Sequence, residues 1–445
     1  MWPRRAAPAL RWIPTLLLLY VALHPKSPYL IALRTLEAPL LAVSGGLGIG
    51  LVLWRCATGQ LGRRESGLLL GLLLTTIILA ACGDAAFRRQ REDVQAADAA
   101  ARRLGQHFII GYTSFDEVAA LAERGLIGGI YLGRGNVRGR TLSAIRAEID
   151  ALQDLRAQAG LPRLIVAADQ EGGGVSHMTP PLAELPPLAA LVDAGPDATL
   201  EARTRAYGEA QGRGLAALGV NLNLGPVADL RPLGGGPRFD TRTLIRRRAI
   251  AADPATVERV VGSYGEALMA AGVRPTLKHF PGLGQVMTDT HHFPARLEQP
   301  VERLAARDWR PFRAAAHSGA ALMLAHVVLP AIDPAYPASL SKAVVQGLLR
   351  REWDYQGLLL TDDLNMGAVY RLGIGHAAVA ALDAGVDMLL ISYDPDQYYR
   401  AMHAAADALR RGILDPAQLA ASRQRIAAAA GVPVHPVRIA AASRR

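Results

Sequence analysis

Residues 254–279 read PATVERVVGSYGEALMAAGVRPTLKH, an amphipathic helical stretch that leads directly into a short apolar strand. The helical part is Pro254–Ala271 and the strand is Pro275–His279. The same alternation extends in both directions along the chain, and it predicts parallel strands joined by right-handed helical crossovers. The strand-like runs are His107–Tyr112, Gly128–Leu132, Leu164–Ala168, Asn221–Gly225, Pro275–His279, Ala321–His326, Leu358–Asp362 and Val386–Ser392.

Eight such runs between residues 105 and 432 favour an α/β fold of the (β/α)8 TIM barrel type. An open doubly wound sheet has the same periodicity and stays an alternative. No GxGxxG motif follows the first strand, so a dinucleotide site lacks support. We expect no cofactor. The helical stretches include Thr141–Ala159, Leu200–Leu218, Pro254–Ala271, Val301–Ser318, Ser339–Glu352 and Ala377–Ala384.

The composition of the 445 residues excludes several classes of protein. With 51% apolar and 20% charged residues the chain is too apolar to be disordered. The two cysteines, Cys56 and Cys82, lie in the first fifth of the chain, so a disulfide framework or a cysteine-based metal site is excluded for the rest. The net charge of +10 is spread without a long basic run and aromatic residues are only 5%, so we expect no nucleic-acid partner.

The first 83 residues are predicted to be a membrane segment. Residues 38–54 and 66–83 carry no charged side chain, and each is close to the roughly 20 apolar residues that cross a bilayer. The shorter run Ile13–Leu23 is a possible third span. Two or three spans would make membrane lipid a partner of this protein.

The orientation of the spans is not settled by their flanking charges, which are nearly balanced. One segment resembles a bacterial lipoprotein signal, in which Cys82 would be lipidated. It consists of Arg63-Arg64, an apolar run and Leu79-Ala80-Ala81-Cys82. Either arrangement predicts a protein of the cytoplasmic membrane with its main part in the periplasm or outside the cell. Residues 84–104 are then a stalk or linker, 105–432 the barrel and 433–445 a C-terminal tail.

Polar residues gather at the ends of the predicted strands, where barrel enzymes carry their chemistry. A single aspartate after a strand is usually a helix cap, but so many ionisable groups at one rim predict an active site. Lys278 is one of only three lysines in the chain, and its compact ammonium suits a site that grips sugar hydroxyls. The set comprises Asp169, Gln170, Glu171, Asn223, Asp229, Lys278, His279, Asp289, Thr290, His291, His292, His326, Thr361, Asp362 and Asp363.

These residues resemble the motifs of glycoside hydrolase family 3, in particular its NagZ-type bacterial β-N-acetylglucosaminidases. The resemblance covers residues 105 to about 430 and is carried by four segments in the family's order. It implies a TIM barrel and an exo-acting retaining β-N-acetylhexosaminidase, whose substrates would be peptidoglycan-derived or other GlcNAc-containing glycans. The segments are Ala168–Gly173 (ADQEGG), Asn221–Asp229 (NLNLGPVAD), Lys278–Gly282 (KHFPG) with Asp289-Thr290-His291, and Thr361–Met366 (TDDLNM).

The resemblance also implies a role for individual residues. Asp362 would be the nucleophile, His291 the general acid and base, and Asp289 the group that orients the imidazole. Nearby cations such as Lys278 and Arg248 would keep Asp362 ionised. Terminal-sugar hydroxyls would be bound by Asp169, Lys278 and His279, and Arg248 would be a further substrate-binding residue, with Arg246 and Arg247 as neighbouring alternatives. The use of a histidine in place of a second carboxylic acid is a feature of this subgroup.

The chain departs from the family pattern at three places. Gly174 stands where the family usually has arginine, Leu283 replaces a histidine, and Ala249-Ile250 replaces serine followed by an aromatic residue. Because the predicted nucleophile and acid/base are intact, we expect catalysis to be retained. Recognition of the leaving group or of the N-acetyl group is expected to differ.

Three alternatives to this function remain open from the sequence. The chain could be a family 3 β-glucosidase or β-xylosidase, although Asp289 and His291 argue against that. It could be a non-catalytic glycan-binding barrel. It could also be a metal-dependent hydrolase, but no HExxH motif supports such a site, and we expect no metal. The histidines that such a site would use are His279, His291, His292 and His326. The oligomeric state is left open.

Overall fold

The computed structural model describes residues 7–24, 26–33, 36–234, 242–314 and 318–431. The chain divides into two compact units, Met1–Ala96 and Ala97–Arg445. The C-terminal tail predicted at 433–445 lies outside the described residues.

The described residues of the N-terminal unit form three α-helices, α1 (Ala7–Leu23), α2 (Glu37–Ala57) and α3 (Arg63–Gln95), and a short 3-10 helix at Pro28–Leu33. By length and composition α2 and α3 are able to cross a membrane, whereas the apolar part of α1, Trp12–Leu23, is shorter. A Cβ atom at Gly45 would lie 2.8 Å from the Ile77 side chain, so this glycine permits the close approach of α2 to α3. Large apolar side chains of these helices, such as Leu47 and Leu68, are exposed.

The predicted linker 84–104 is largely helical. Its first part continues α3 as far as Gln95, and the next helix, α4, occupies Ala99–Gly105. The Asp98 carboxylate caps α4 by accepting a hydrogen bond from the backbone N–H of Ala101 at 2.8 Å.

The second unit is built on a closed barrel of eight parallel strands, as the sequence predicts. The barrel closes where the first strand pairs with the last, with Phe108 opposite Leu389. Each strand lies in or overlaps one of the predicted runs. In chain order the strands are β1 (Phe108–Ile110), β2 (Gly129–Leu132), β3 (Ile165–Ala168), β4 (Leu222–Asn223), β5 (Arg274–Phe280), β6 (Ala321–Leu324), β7 (Leu359–Asp363) and β8 (Met388–Ile391).

Alternate residues of the strands form one buried apolar cluster, as expected when successive side chains point to opposite faces. Ile165 and Ala167 of β3 and Met388 and Leu390 of β8 are examples. The remaining helices are α5 (Phe115–Glu123), α6 (Arg134–Val137), α7 (Leu142–Gln158), α8 (Ala189–Asp193), α9 (Leu200–Leu218), α10 (Ile245–Arg248), α11 (Pro254–Ala270), α12 (Val301–Ala306), α13 (Arg310–Ala314), α14 (Gly367–Tyr370), α15 (Ile374–Ala384), α16 (Asp396–Arg410) and α17 (Pro416–Gly431).

Two predicted helices differ in detail. The single helix predicted at Val301–Ser318 is wrong, because the backbone of Arg307 leaves the helical region between α12 and α13. Pro311 has no N–H to donate, so it fits only the first turn of a new helix. The stretch Ser339–Glu352 contains a wide, π-type helix at Ala343–Glu352.

Short strands outside the barrel shape the loops that follow its strands. Gln170–Gly172 and Val175–Ser176 form a hairpin immediately after β3. Ala295–Arg296 pairs with Val327–Leu329, which also pairs with Asp333–Pro337. The loop after β5 is thereby tied to the loop after β6.

Candidate active site

Lys278 of β5 joins two carboxylates that follow β3. Its Nζ atom lies 2.5 Å from Oδ1 of Asp169 and 2.7 Å from Oε1 of Glu171. The ammonium is almost completely buried, which the two negative charges make tolerable. The barrel therefore brings together residues that are 109 positions apart in the sequence.

Glu171 also binds Arg248, the last residue of α10. The guanidinium donates from Nε to Oε2 at 3.0 Å and from Nη2 to Oε1 at 2.6 Å, a bidentate pair. Arg248 is the arginine of its run that reaches the site, whereas Arg246 and Arg247 are exposed. The role of Glu171 as the anion that holds both cations was not predicted, because it depends on contacts across the barrel.

The charges in this cluster stabilise one another. Burial opposes ionisation of Glu171, but Arg248 and Lys278 together hold its pKa far below the usual value. The pKa values of Lys278 and Arg248 are raised despite burial, by Asp169 and Glu171 for the lysine and chiefly by Glu171 for the arginine. Glu171, Lys278 and Arg248 are therefore charged at neutral pH.

The glycines of the Glu-Gly-Gly motif permit the turn that presents Glu171. Gly172 and Gly173 have φ angles of +96° and +59°, which side chains with a Cβ atom rarely adopt. A Cβ atom at Gly172 would also lie 2.6 Å from the carbonyl oxygen of Pro186. The motif is thus explained by backbone geometry as well as by charge.

His279 is held by the buried carboxylate of Asp229. Nδ1 of the imidazole lies 2.7 Å from Oδ2 of Asp229, and the same carboxylate accepts the backbone N–H groups of His279 and Leu283. Because a carboxylate accepts, Nδ1 carries the proton and Nε2 faces Arg248 at 3.4 Å from Nη2.

His291 and Asp289 meet on the loop after β5. Nδ1 of His291 lies 3.1 Å from Oδ1 of Asp289, and the Thr243 hydroxyl donates to the same oxygen at 2.8 Å. The Asp289 carboxylate also accepts the backbone N–H of His291 at 3.0 Å. Thr243, which the sequence did not single out, thus belongs to the same hydrogen-bonded group.

The two ionisable groups of this loop have shifted pKa values. Although burial favours the neutral acid, the hydrogen bonds from Thr243 and His291 lower the pKa of Asp289 to about 2. Burial lowers the pKa of His291 below its usual value, and the negative charges of Asp362 and Asp289 offset only part of that effect. At neutral pH the loop therefore holds an ionised carboxylate and a mostly neutral imidazole.

Asp362 lies near the end of β7, and its Oδ1 accepts the backbone N–H of Asp363 at 2.8 Å. Burial favours the neutral form of Asp362, but the imidazoles of His279, His326 and His291, in their protonated form, lower the pKa of Asp362 below the usual value. We expected Lys278 and Arg248 to provide this stabilisation. Both cations instead pair with the acidic residues that follow β3.

The residue after Asp362 has a different environment. Asp363 accepts hydrogen bonds from Asn365, from the backbone N–H and hydroxyl of Ser392, and from the backbone N–H of Tyr393. Burial nevertheless raises its pKa. Its carboxylate connects the ends of β7 and β8, and both of its oxygens accept structural hydrogen bonds.

The loop that carries His291 is connected to the loop after β7. The backbone N–H of Gly367 donates to the carbonyl oxygen of His291 at 2.8 Å, and that of Ala368 donates to Thr290 at 3.3 Å. These two contacts hold the imidazole on the side of the barrel where β7 ends.

The departures from the family motifs have visible structural consequences. A Cβ atom at Gly174 would meet no atom within 4 Å, and the carbonyl of Gly174 accepts a hydrogen bond from Arg134 at 2.9 Å. Leu283 and Ile250 are buried apolar residues. Within the described ranges, no group of three or more metal-binding side chains is assembled, so His292 and the other histidines do not form a metal cluster there.

Comparison with known proteins identifies the family. Residues 101–429 match the model of the glycosyl hydrolase family 3 N terminal domain. A beta-hexosaminidase of Xanthomonas campestris pv. campestris (strain B100) is 36% identical over 285 residues, which are 63% of this chain and 81% of that protein. The beta-hexosaminidase of Stenotrophomonas maltophilia (strain R551-3) is 36% identical over 270 residues, covering 60% and 77% of the two chains.

Solved structures agree with this assignment. A glycoside hydrolase family 3 beta-N-acetylglucosaminidase from Paenibacillus sp. has a TM-score of 0.68 and 31% identity, with 75% of this chain and 62% of that chain covered. The Beta-N-acetylhexosaminidase from Beutenbergia cavernae has a TM-score of 0.66 and 28% identity, with coverage of 76% and 100%. The chain belongs to glycosyl hydrolase family 3.

Proposed function

We propose that this family 3 glycoside hydrolase is a retaining, exo-acting β-N-acetylhexosaminidase that works through Asp362 and His291. The arrangement that carries the proposal is the ionised Asp362 near the end of β7, which interacts electrostatically with a loop imidazole held by an ionised Asp289. An ionised carboxylate can attack carbon, and an imidazole can carry a proton near neutral pH.

In the first step, an oxygen of Asp362 forms a bond to C1 of the terminal sugar. The bond from C1 to the leaving oxygen breaks, and Nε2 of protonated His291 gives its proton to that oxygen. Nε2 is the atom that transfers the proton, because Nδ1 is engaged with Asp289.

In the second step, a water oxygen attacks C1 and the bond to Asp362 breaks. The water gives a proton to Nε2 of His291, which restores both groups. Two displacements at C1 return the original anomeric configuration. Asp289 remains ionised throughout and stabilises the imidazolium when it forms.

Asp169, Lys278, His279 and Arg248 form the proposed binding side of the site. Their side chains are held by hydrogen bonds and ion pairs and have little freedom to rearrange, which suits recognition of hydroxyl groups at fixed positions. The relatives named beta-hexosaminidase or beta-N-acetylglucosaminidase support a terminal N-acetylhexosamine as the sugar. We propose peptidoglycan-derived or other GlcNAc-containing glycans as the natural substrates.

The direct test is hydrolysis of 4-nitrophenyl β-N-acetylglucosaminide by the full chain in detergent, beside the matching glucoside and xyloside. We expect clear preference for the N-acetylated sugar. A fluorinated N-acetylglucosaminide should then label Asp362, as located by peptide mass mapping. Labelling of another side chain would contradict the assigned nucleophile. Binding of glycan without turnover would instead favour a glycan-binding barrel.

We also propose that α2 and α3 anchor the protein in the cytoplasmic membrane, with the barrel in the periplasm or outside the cell. Their length, apolar composition and exposed large side chains support this. Alkaline carbonate should leave the full chain in the membrane fraction, and an alkaline phosphatase fused to the C-terminus should be active. An inactive phosphatase fusion would refute the location. Fatty-acid labelling that disappears in Cys82→Ser would show that lipidation contributes.

A further inference from the structure

A chain of hydrogen bonds leads from Asp169 to two side chains that the proposed mechanism does not use. The phenol oxygen of Tyr131 lies 2.9 Å from Oδ2 of Asp169 and 2.8 Å from Nδ1 of His177. The other oxygen of Asp169 accepts from Lys278. The two rings meet edge to face, with centroids 6.4 Å apart. His177 is therefore the outer end of a connected group that begins at the proposed sugar-binding carboxylate.

The directions of these hydrogen bonds follow from the number of protons available. The Asp169 carboxylate can only accept, and the phenol has a single proton. Burial and the charge of Asp169 raise the pKa of Tyr131 well above its usual value, so the phenol stays protonated. Tyr131 therefore donates to Asp169 and accepts from His177, which places the proton of the neutral imidazole on Nδ1.

The second ring nitrogen of His177 is left as an acceptor. Burial lowers the pKa of His177, and the cations Arg134 and Lys278 act in the same direction against the charges of Asp169 and Glu171. The ring is therefore neutral at pH 7, with a lone pair on Nε2. Among the residues that the structure describes, Nε2 of His177 has no hydrogen-bond partner.

The backbone keeps His177 beside the sugar site. His177 directly follows the hairpin after β3, and its N–H donates to the carbonyl oxygen of Asp169 at 2.9 Å. Tyr131 belongs to β2, where it lies opposite Ala167 of β3. The tyrosine is buried and the histidine is half-buried. A rigid strand thus holds the phenol, while the imidazole retains access to solvent.

We propose that His177 is a further substrate-binding residue, whose Nε2 accepts a hydrogen bond from a hydroxyl of the sugar held by Asp169. Tyr131 is then a positioning residue, which fixes both the Asp169 carboxylate and the tautomer of His177. The inference rests on the proposed function, since it requires a sugar at Asp169. It assigns to this chain an acceptor in the sugar site in addition to the carboxylate.

The test compares the full-length wild type with His177→Leu, His177→Gln and Tyr131→Phe on 4-nitrophenyl β-N-acetylglucosaminide. Loss of one neutral hydrogen bond should raise KM about three- to tenfold in His177→Leu, with kcat changed by less than about twofold. Glutamine presents an amide oxygen near the position of Nε2, so His177→Gln should recover most of the loss. Melting temperatures check that each variant is folded.

Tyr131→Phe retains the ring and removes only the hydroxyl. Because the imidazole then loses the group that selects its tautomer, KM should rise about threefold, and adding His177→Leu should raise it by less than the product of the single effects. If His177→Leu does not fold, the KM of Tyr131→Phe tests the inference in its place.

The failure of this inference and the failure of the proposed function give different results. Suppose that the wild type turns over the substrate and that KM is unchanged in His177→Leu. This result would overturn the inference and leave the proposed function standing. If the leucine variant is unfolded, an unchanged KM in Tyr131→Phe has the same meaning. Equal losses in His177→Leu and His177→Gln would also overturn it, since a purely steric role predicts them. Absence of turnover by the wild type on any β-glycoside would overturn the proposed function and this inference together.

Discussion

The two sides of the candidate site are built differently. On the binding side, Lys278, Glu171 and Arg248 are buried and joined by ion pairs of 2.6–2.7 Å. On the proton-transfer side, His291 belongs to a loop, and its side chain is 36% exposed. The first side consists of buried ion pairs between elements of the barrel, whereas the second is attached to it by a few hydrogen bonds. Substitutions on the binding side should therefore affect folding, and those on the loop should affect chemistry alone.

The largest effect is expected for Asp362, which interacts electrostatically with His279 of the binding side and with His291 of the loop. Asp362→Asn should lower kcat by about 10⁴-fold or more, because an amide cannot form the glycosyl-enzyme bond. The measurement is the initial rate on the chromogenic substrate. Asp154→Asn, on the exposed face of α7, is the matched control and should retain full activity. Equal rates in Asp362→Asn and wild type would disprove the assigned role.

The next effect tests the structural character of the binding side. Glu171→Gln leaves two buried cations without their shared anion, so the free energy of unfolding should fall by about 3–5 kcal/mol. Glu209→Gln breaks an exposed pair with Arg213 and should cost less than about 1 kcal/mol. Urea denaturation measures both. A similar, small loss in the two variants would show that the buried cluster does not stabilise the barrel.

The loop side should respond in the opposite way. His291→Ala should lower kcat by about 10²- to 10³-fold with a poor leaving group but far less with 4-nitrophenol, which departs without protonation. The melting temperature should change little. His376→Ala, on an exposed position of α15, serves as the control. A loss of activity that is the same for all leaving groups would argue against proton donation by His291.

The smallest effect concerns the pH dependence of kcat/KM, whose basic limb should be shifted to lower pH. His291 must be protonated in the free enzyme to act as the acid, and its pKa is lowered by burial. The value of kcat/KM should therefore fall as pH rises through a point below 6.5, while the limb from Asp362 lies below pH 3.8. A basic limb well above 6.5 would contradict this. A substrate with a good leaving group should flatten the basic limb.

Much of the fold was predictable because the period of apolar residues is a local property. All eight strand positions were recognised from runs such as Leu164–Ala168, and the barrel prediction is confirmed. The break at Arg307 was missed because a helical pattern continues across it, and only Pro311 signalled a new start. The family was recognised from motifs, and that identification is confirmed. The roles assigned to single residues remain predictions.

The sequence alone determined the order of strands and helices, the apolar helices near the N-terminus and the family to which the chain belongs. These follow from residue types and spacings within short segments, where the backbone period sets which side chains share a face. Only the tertiary structure decided that Arg248 and Lys278 pair with Glu171 and Asp169 rather than with Asp362, and that Tyr131 connects Asp169 to His177. Those contacts join residues from 38 to 109 positions apart. The charges and proton positions depend on burial and on neighbours that closure of the barrel brings together.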